Sequence, residues 1–161
     1  MTGTPDPSGG PVRPIVALGL ATVAFIALLI FGLGMVSLAI GADIVETPGL
    51  GQIPGVVATA LTTGAFALAL WVALRRPHPT FWGALWAAVA CYAVYTAAIW
   101  LGTLAASGDP AVAAGVAGRI ATTWFGLVVA ATAAIAAWGG IALVRTRAQR
   151  PRWPWEDEFD E

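Results

Sequence analysis

Residues 15–42 read IVALGLATVAFIALLIFGLGMVSLAIGA and contain no charged side chain. A helix needs about 20 apolar residues to cross the roughly 30 Å hydrocarbon core of a bilayer, and this stretch exceeds that length. Three more uncharged apolar runs follow: Val56 to Leu74, Thr80 to Leu104 and Ile120 to Val144. Backbone groups at that depth have no water to bond, so each run must close its hydrogen bonds internally as a helix. The sequence therefore predicts an all-α, polytopic membrane protein, a four-transmembrane-helix bundle. Its helices are expected at about 15–42, 56–74, 80–104 and 115–144. The first and third are long enough to cross at a tilt.

The composition agrees with the runs. Of 161 residues 58% are hydrophobic and 11% charged, and the mean hydropathy is +0.80. A water-soluble core does not absorb that much apolar surface.

Arginine placement predicts orientation. Arg13 precedes the first run, Arg75 and Arg76 lie between the second and third, and Arg145, Arg147, Arg150 and Arg152 follow the fourth. All seven fall on one side. Short arginine-rich segments stay cytoplasmic, so both termini are expected inside and the loops near Asp43 to Pro54 and Ala105 to Ala114 outside. Ala39-Ile40-Gly41 has the small residues of a signal-peptidase site, but signal-peptide apolar regions run only about 7 to 15 residues. The first run reads as a retained helix. Residues 1–14, rich in Pro, Gly, Ser and Thr, read as a disordered cytoplasmic tail.

The eighth arginine, Arg119, is the most informative polar residue. A guanidinium at the bilayer centre costs about 2.5 to 3.5 kcal/mol on insertion scales unless it reaches water or a partner. Its position places it at the outer interface, where an ion-pair cluster with Asp109, Asp43 or Glu46 is sterically open. Its functional reading is an anion or substrate contact at the mouth of a pathway; its plainer one is a snorkelling residue or a loop-fastening pair.

Small residues recur every four positions at Ala114, Gly118, Thr122, Gly126, Ala130 and Ala134, forming one stripe on a continuous fourth helix. Such a stripe lets membrane helices approach closely, here against helix two or another subunit. Ser37 and Gly41 offer a shorter version on the first helix. Trp71, Trp82, Trp100 and Trp138 fall where helices meet the interface, while Trp86 and Trp124 are expected to pack between helices. An offset of sixty aligns Gly55-Val56 and Thr62-Thr63 with Gly115-Val116 and Thr122-Thr123, a faint internal repeat of the kind transporter hairpins carry.

No reaction is legible. Cys91 is the single cysteine and His78 the single histidine, so neither a disulfide within the chain nor a metal-ligand set can be assembled from them. No nucleophile has a base beside it and there is no phosphate-binding loop. No Asp, Glu, Lys or His occurs inside the four runs, which argues against a proton relay or ion-coupled pump. Thr59, Thr62, Thr63, Tyr92, Tyr95, Thr96 and Thr132 remain, with hydroxyls able to bond carbonyls of their own or neighbouring helices. No catalytic residue, metal or cofactor is expected, and no nucleic-acid partner.

Residues 145–161 turn from basic to acidic: four arginines, then Trp153-Pro154-Trp155, then Glu156, Asp157, Glu158, Phe159, Asp160 and Glu161. The arginines suit anionic headgroups, and the acidic end is repelled into the cytosol. Aromatics among carboxylates also suit a basic groove on a partner, which makes Trp153, Trp155, Glu156, Asp157, Glu158 and Phe159 a docking candidate.

Eight arginines with no lysine, heavy use of Ala, Gly, Val and Trp, and the ending Arg-Pro-Arg-Trp-Pro-Trp-Glu-Asp-Glu resemble small uncharacterised four-helix membrane proteins of high-GC actinobacteria. That resemblance implies a bacterial plasma membrane and carries no functional residue. The sequence thus favours an accessory or scaffolding subunit acting through helix packing and its cytoplasmic tail, with the bilayer and a membrane protein or a second copy as partners. The alternative is a subunit of a small transporter or channel with an outer arginine contact.

The orientation is tested by cysteine accessibility in intact cells, with Cys91 replaced by alanine. A cysteine at Gly51 or Ser107 should react with an impermeant reagent from outside. Labelling from that side at Ser8 or after Glu161 would contradict it.

Overall fold

The computed structural model describes residues 13–41, 53–76 and 80–145. These form five helices: α1 (Pro14–Ile40), α2 (Ile53–Leu74), α3 (Trp82–Ser107), α4 (Pro110–Thr122) and α5 (Trp124–Arg145). No strand occurs among the described residues. Four helices are long and apolar enough to cross a bilayer: α1, α2, α3 and α5. The expected fourth helix is therefore two helices, divided at Thr123, and α5 supplies the fourth span by itself.

Local chemistry sets the ends. Gly41 terminates α1 at φ 60°, and its N–H donates to Ser37 O. Gly108 does the same for α3 at φ 68°, donating to Leu104 O at 2.8 Å. Glycine enters this left-handed region without a Cβ penalty, so it caps the last carbonyls. Asp109 then starts α4: one carboxylate oxygen accepts from Ala111 N–H at 2.8 Å and from Val112 N–H at 3.5 Å, and Pro110 follows at the first helical position.

The spans pack antiparallel around a closed ring, in which α5 touches α1 and α3, and α2 touches α3 and α1. α1 and α2 turn a narrow four-residue repeat inward, whereas α3 and α5 bury a wider face in steps of three and four. On α1 this is Ala17, Ala21, Phe25, Leu29 and Leu33, all buried; on α2 it includes Ala58, Thr62, Phe66 and Leu70. Phe25 and Phe66 stack at 4.4 Å between centroids, tilted by 10°. Offset aromatic contacts of this kind add about 0.5 to 1.5 kcal/mol beyond burial. Glycine permits the closest approaches. A Cβ on Gly140 would lie 2.9 Å from Ala21 Cβ and 3.2 Å from a Leu70 methyl, and one on Gly32 would lie 2.7 Å from Val128 Cγ1.

The outward faces are equally apolar. Leu38, Leu20, Val23, Phe31, Leu68 and Ile135 are all more than half exposed. Such a belt on a protein in water would drive aggregation, whereas in lipid it is the solvated surface. Trp86 and Trp124 belong to it, being 68% and 65% exposed, and do not pack between helices as expected. The buried face of α3 runs through Ala84, Ala87, Ala88, Cys91 and Tyr95, which leaves Trp86 pointing away from the bundle.

At one end of the ring Arg75 lies 4.4 Å from the Trp71 ring, Arg145 lies 4.7 Å from the Phe81 ring, and Phe81 is 6.1 Å from Trp138. Arg13, beginning α1, and Arg76, following α2, share that end. Cations over indole and phenyl faces fix the aromatic belt there.

Close packing predicts a contrast between glycines. Gly140→Ala should destabilise the bundle by about 1 to 3 kcal/mol, because neither neighbouring side chain can withdraw without disturbing the core. Gly19→Ala, with nothing within 4 Å of the new methyl, should be neutral or slightly stabilising. Thermal unfolding in detergent followed by circular dichroism reads the difference, and equal stability of Gly140→Ala and wild type would refute the packing.

Candidate functional site

The break at Thr123 is the place where the expected fourth helix departs from regular geometry, just before the fourth candidate span. Thr123 has φ −104° and ψ 175°, extended values that interrupt the ladder between α4 and α5. Residues six apart on a straight helix rise about 9 Å relative to one another. Here a Cβ on Gly126 would stand 2.6 Å from Ile120 O and 3.4 Å from Ala121 O. The first turn of α5 is thus folded against the last carbonyls of α4, and only a residue without a side chain fits the contact.

Hydroxyls reach both of those carbonyls, and a third hydroxyl bonds one turn earlier. Tyr92, on α3, donates to Ala121 O at 2.9 Å. Thr122 donates to Gly118 O at 2.8 Å, and Thr123 reaches Ile120 O at 3.5 Å. Carbonyls at a helix terminus lack intrahelical donors, and leaving one unpaired in an apolar setting costs about 1 to 3 kcal/mol. Tyr92 is the tertiary part of this cap. Its ring also lies 2.9 Å from the Gly126 Cβ position, so the same side chain walls the fold of the chain.

A cleft of about 610 Å³ opens at the break, lined by Tyr92, Thr122, Thr123, Trp124, Gly126 and Ala130 among others. Its polar groups are hydroxyls and backbone. Arg119 occupies the last turn of α4, half-buried, where a cation complements the negative end of the helix dipole. The arginine precedes the fourth candidate span, which begins at Trp124.

The outer cluster divides. Asp109 and Arg119 stand at opposite ends of α4, separated by about 15 Å of rise, so the helix itself keeps them from pairing. The Asp109 carboxylate caps α4 instead. Asp43 and Glu46 lie outside the described residues. The stripe divides as well. Ala114, Gly118 and Thr122 are exposed on α4, whereas Gly126 is buried against Tyr92 of α3, and Ala130 and Ala134 are half-buried. The stripe is therefore not continuous across Thr123, and its buried glycine faces α3 rather than α2. Trp153, Trp155, Glu156, Asp157, Glu158 and Phe159 lie outside the described residues, as does His78.

The remaining hydroxyls largely satisfy themselves. Thr59, Thr62, Thr63, Thr96 and Thr132 each donate to the carbonyl four residues earlier at 2.7 to 2.9 Å. Buried Cys91 Sγ approaches Thr62 O at 4.0 Å across the α2–α3 interface. Among the described residues no group of three His, Cys, Asp or Glu is placed to hold a metal. Sequence reasoning identified Tyr92 as able to bond a neighbouring helix and missed that the bond caps a break.

The model of one protein family covers residues 13–161, all but the first twelve residues of the chain. The chain belongs to DUF6121, a family of unknown function. No curated protein and no solved structure matches it. The DUF6121 match takes in all five helices and both ends of the break, so the bundle described here lies wholly within the family's extent.

The break predicts two sensitive substitutions. Gly126→Ala should cost about 1 to 3 kcal/mol, since a backbone oxygen blocks the new methyl. Tyr92→Phe should cost about 1 kcal/mol by leaving Ala121 O unpaired. Thermal unfolding in detergent checks both, and two neutral variants would show that neither contact holds the break.

Proposed function

We propose that this protein is an accessory or scaffolding subunit of a bacterial plasma membrane, with both termini in the cytoplasm, acting through helix packing and its C-terminal tail. The observation that carries the reading is the interior. Its buried hydroxyl side chains among the described residues are Thr62, Thr103, Thr132 and Tyr95. Thr62 and Thr132 bond to their own helices. An interior of alanine, aliphatic and aromatic side chains offers no chain of polar groups along which an ion or solute would exchange its hydration. Packing surface is available outside: Gly115 and Gly118 on α4 have nothing within 4 Å of where a side chain would begin, and Ala114 lies beside them. Exposed small residues of this kind suit a neighbouring transmembrane helix. The Arg-rich and then acidic sequence of 145–161 adds a cytoplasmic element of the type that docks to a basic surface.

The second reading is a subunit of a small transporter or channel. The feature that favours it is the broken helix, with the Tyr92–Thr123 cleft and Arg119 close by, since discontinuous helices gather solute sites in transporter folds.

Affinity purification in mild detergent, with the full chain and a chain ending at Arg152, separates these. The accessory reading expects one membrane or cytosolic protein at fixed stoichiometry with the full chain and its loss from the shortened one, with insertion unchanged. An identical set of partners after the deletion would defeat the docking role. Solute flux through proteoliposomes holding this protein alone would establish the transporter reading instead.

A further inference from the structure

A groove of about 420 Å³ runs along the outside of the α2–α3 pair. Its floor is made of small residues, Ala65, Ala69 and Ala73 on α2 and Gly83 and Ala90 on α3. Leu68, Val72 and Trp86 form its rims, each more than half exposed. Its lining also includes two residues of another kind, Arg76 and Thr80, both exposed. We propose that this groove holds one acyl chain of an anionic phospholipid, with the lipid phosphate on Arg76 and Thr80.

Length supports the occupant. From Ala65 to the end of α2 at Leu74 the helix rises about 14 Å, close to the depth of one leaflet, about 15 Å of the roughly 30 Å hydrocarbon core. A chain lying in the groove from its mouth therefore ends near mid-membrane. Charge supports it as well. Arg76 sits at the arginine-bearing end of the bundle, where headgroups meet the aromatic belt, and guanidinium pairs with phosphate through two parallel hydrogen bonds. Asp109 is the one carboxylate among the described residues, and it caps α4 beyond the opposite end of α3. Neighbouring arginines are otherwise engaged, Arg75 by Trp71 and Arg145 by Phe81. A basic pocket between transmembrane helices at headgroup depth is the setting in which anionic lipids are retained. This site is independent of which protein partner the chain meets.

Native mass spectrometry of the full chain, released from mixed micelles containing equal palmitoyl-oleoyl phosphatidylglycerol and phosphatidylcholine, tests the assignment. Wild type should retain one phosphatidylglycerol in preference to phosphatidylcholine. Arg76→Gln should reduce that retention about fivefold or more, and Ala90→Phe, which fills the groove floor, should reduce it comparably. Arg13→Gln, removing a charge from the same end away from the groove, should leave it unchanged. Circular dichroism of each variant confirms helical content, and the wild-type comparison of the two lipids stands without any variant. Equal retention of both lipids by wild type would overturn the proposal. So would an Arg13→Gln loss equal to that of Arg76→Gln, or an Ala90→Phe variant that is folded and binds normally. A preference that emerges only after removal of 153–161 would assign Arg76 to the chain's own acidic end and overturn it likewise.

Discussion

Every carbonyl and N–H in this bundle faces the same constraint: in an apolar surrounding an unpaired backbone group costs too much to keep. The long helices meet it along their lengths, and the side-chain hydroxyls do so locally, with one threonine after another returning its proton to the carbonyl four residues back. Where the ladder stops, a specific group takes over. Glycine in the left-handed region closes α1 and α3, an aspartate opens α4, and a tyrosine from a neighbouring helix holds Ala121 O at the break. The break can exist because Ala121 O is paired from α3 and Ile120 O by the adjoining Thr123.

The spans were legible because lipid reads average hydropathy, and four uncharged runs of this length have one solution. The break was not. Thr122-Thr123 is matched by Thr62-Thr63, yet the earlier pair lies within an unbroken α2, each hydroxyl bonding its own helix. The same dipeptide therefore gives helix in one place and a fold in another. What differs is tertiary: Tyr92 twenty-nine residues upstream of Ala121, and a glycine at 126 that admits the carbonyl of Ile120. Neither relation has a local signature. The faint repeat at an offset of sixty likewise ends at the sequence level, since its two threonine pairs adopt different backbones.

The candidate site was partly legible for the same reason. Arg119 was expected early in a fourth helix running from about 115, at the outer interface; it lies in the last turn of α4, and the fourth candidate span begins after it. Its pairing with Asp109 presumed a loop between them, whereas α4 is a helix from Pro110 to Thr122 and separates them by its own length. The four-residue stripe presumed one axis, and the break supplies two. Trp86 and Trp124 were expected inside on the rule that deep aromatics pack between helices; in a bundle whose solvent is lipid, an outward indole carries no penalty.

The folded junction of α4 and α5 is the claim on which the four-span, five-helix architecture rests. Spin labels at Val112 and Leu143, both exposed, allow the distance between the far ends of α4 and α5 to be measured by double electron-electron resonance in nanodiscs. A continuous helix would separate the two backbones by about 47 Å. Across the bundle, Gly83 of α3 lies beside Ile141, and from Gly83 to the end of α3 at Ser107, where the chain turns into α4, the rise is only about 36 Å. The account predicts a distance shorter than the straight value by roughly 10 Å, because residues around Thr123 cross sideways instead of climbing the axis. A distribution centred at the straight-helix distance would contradict it.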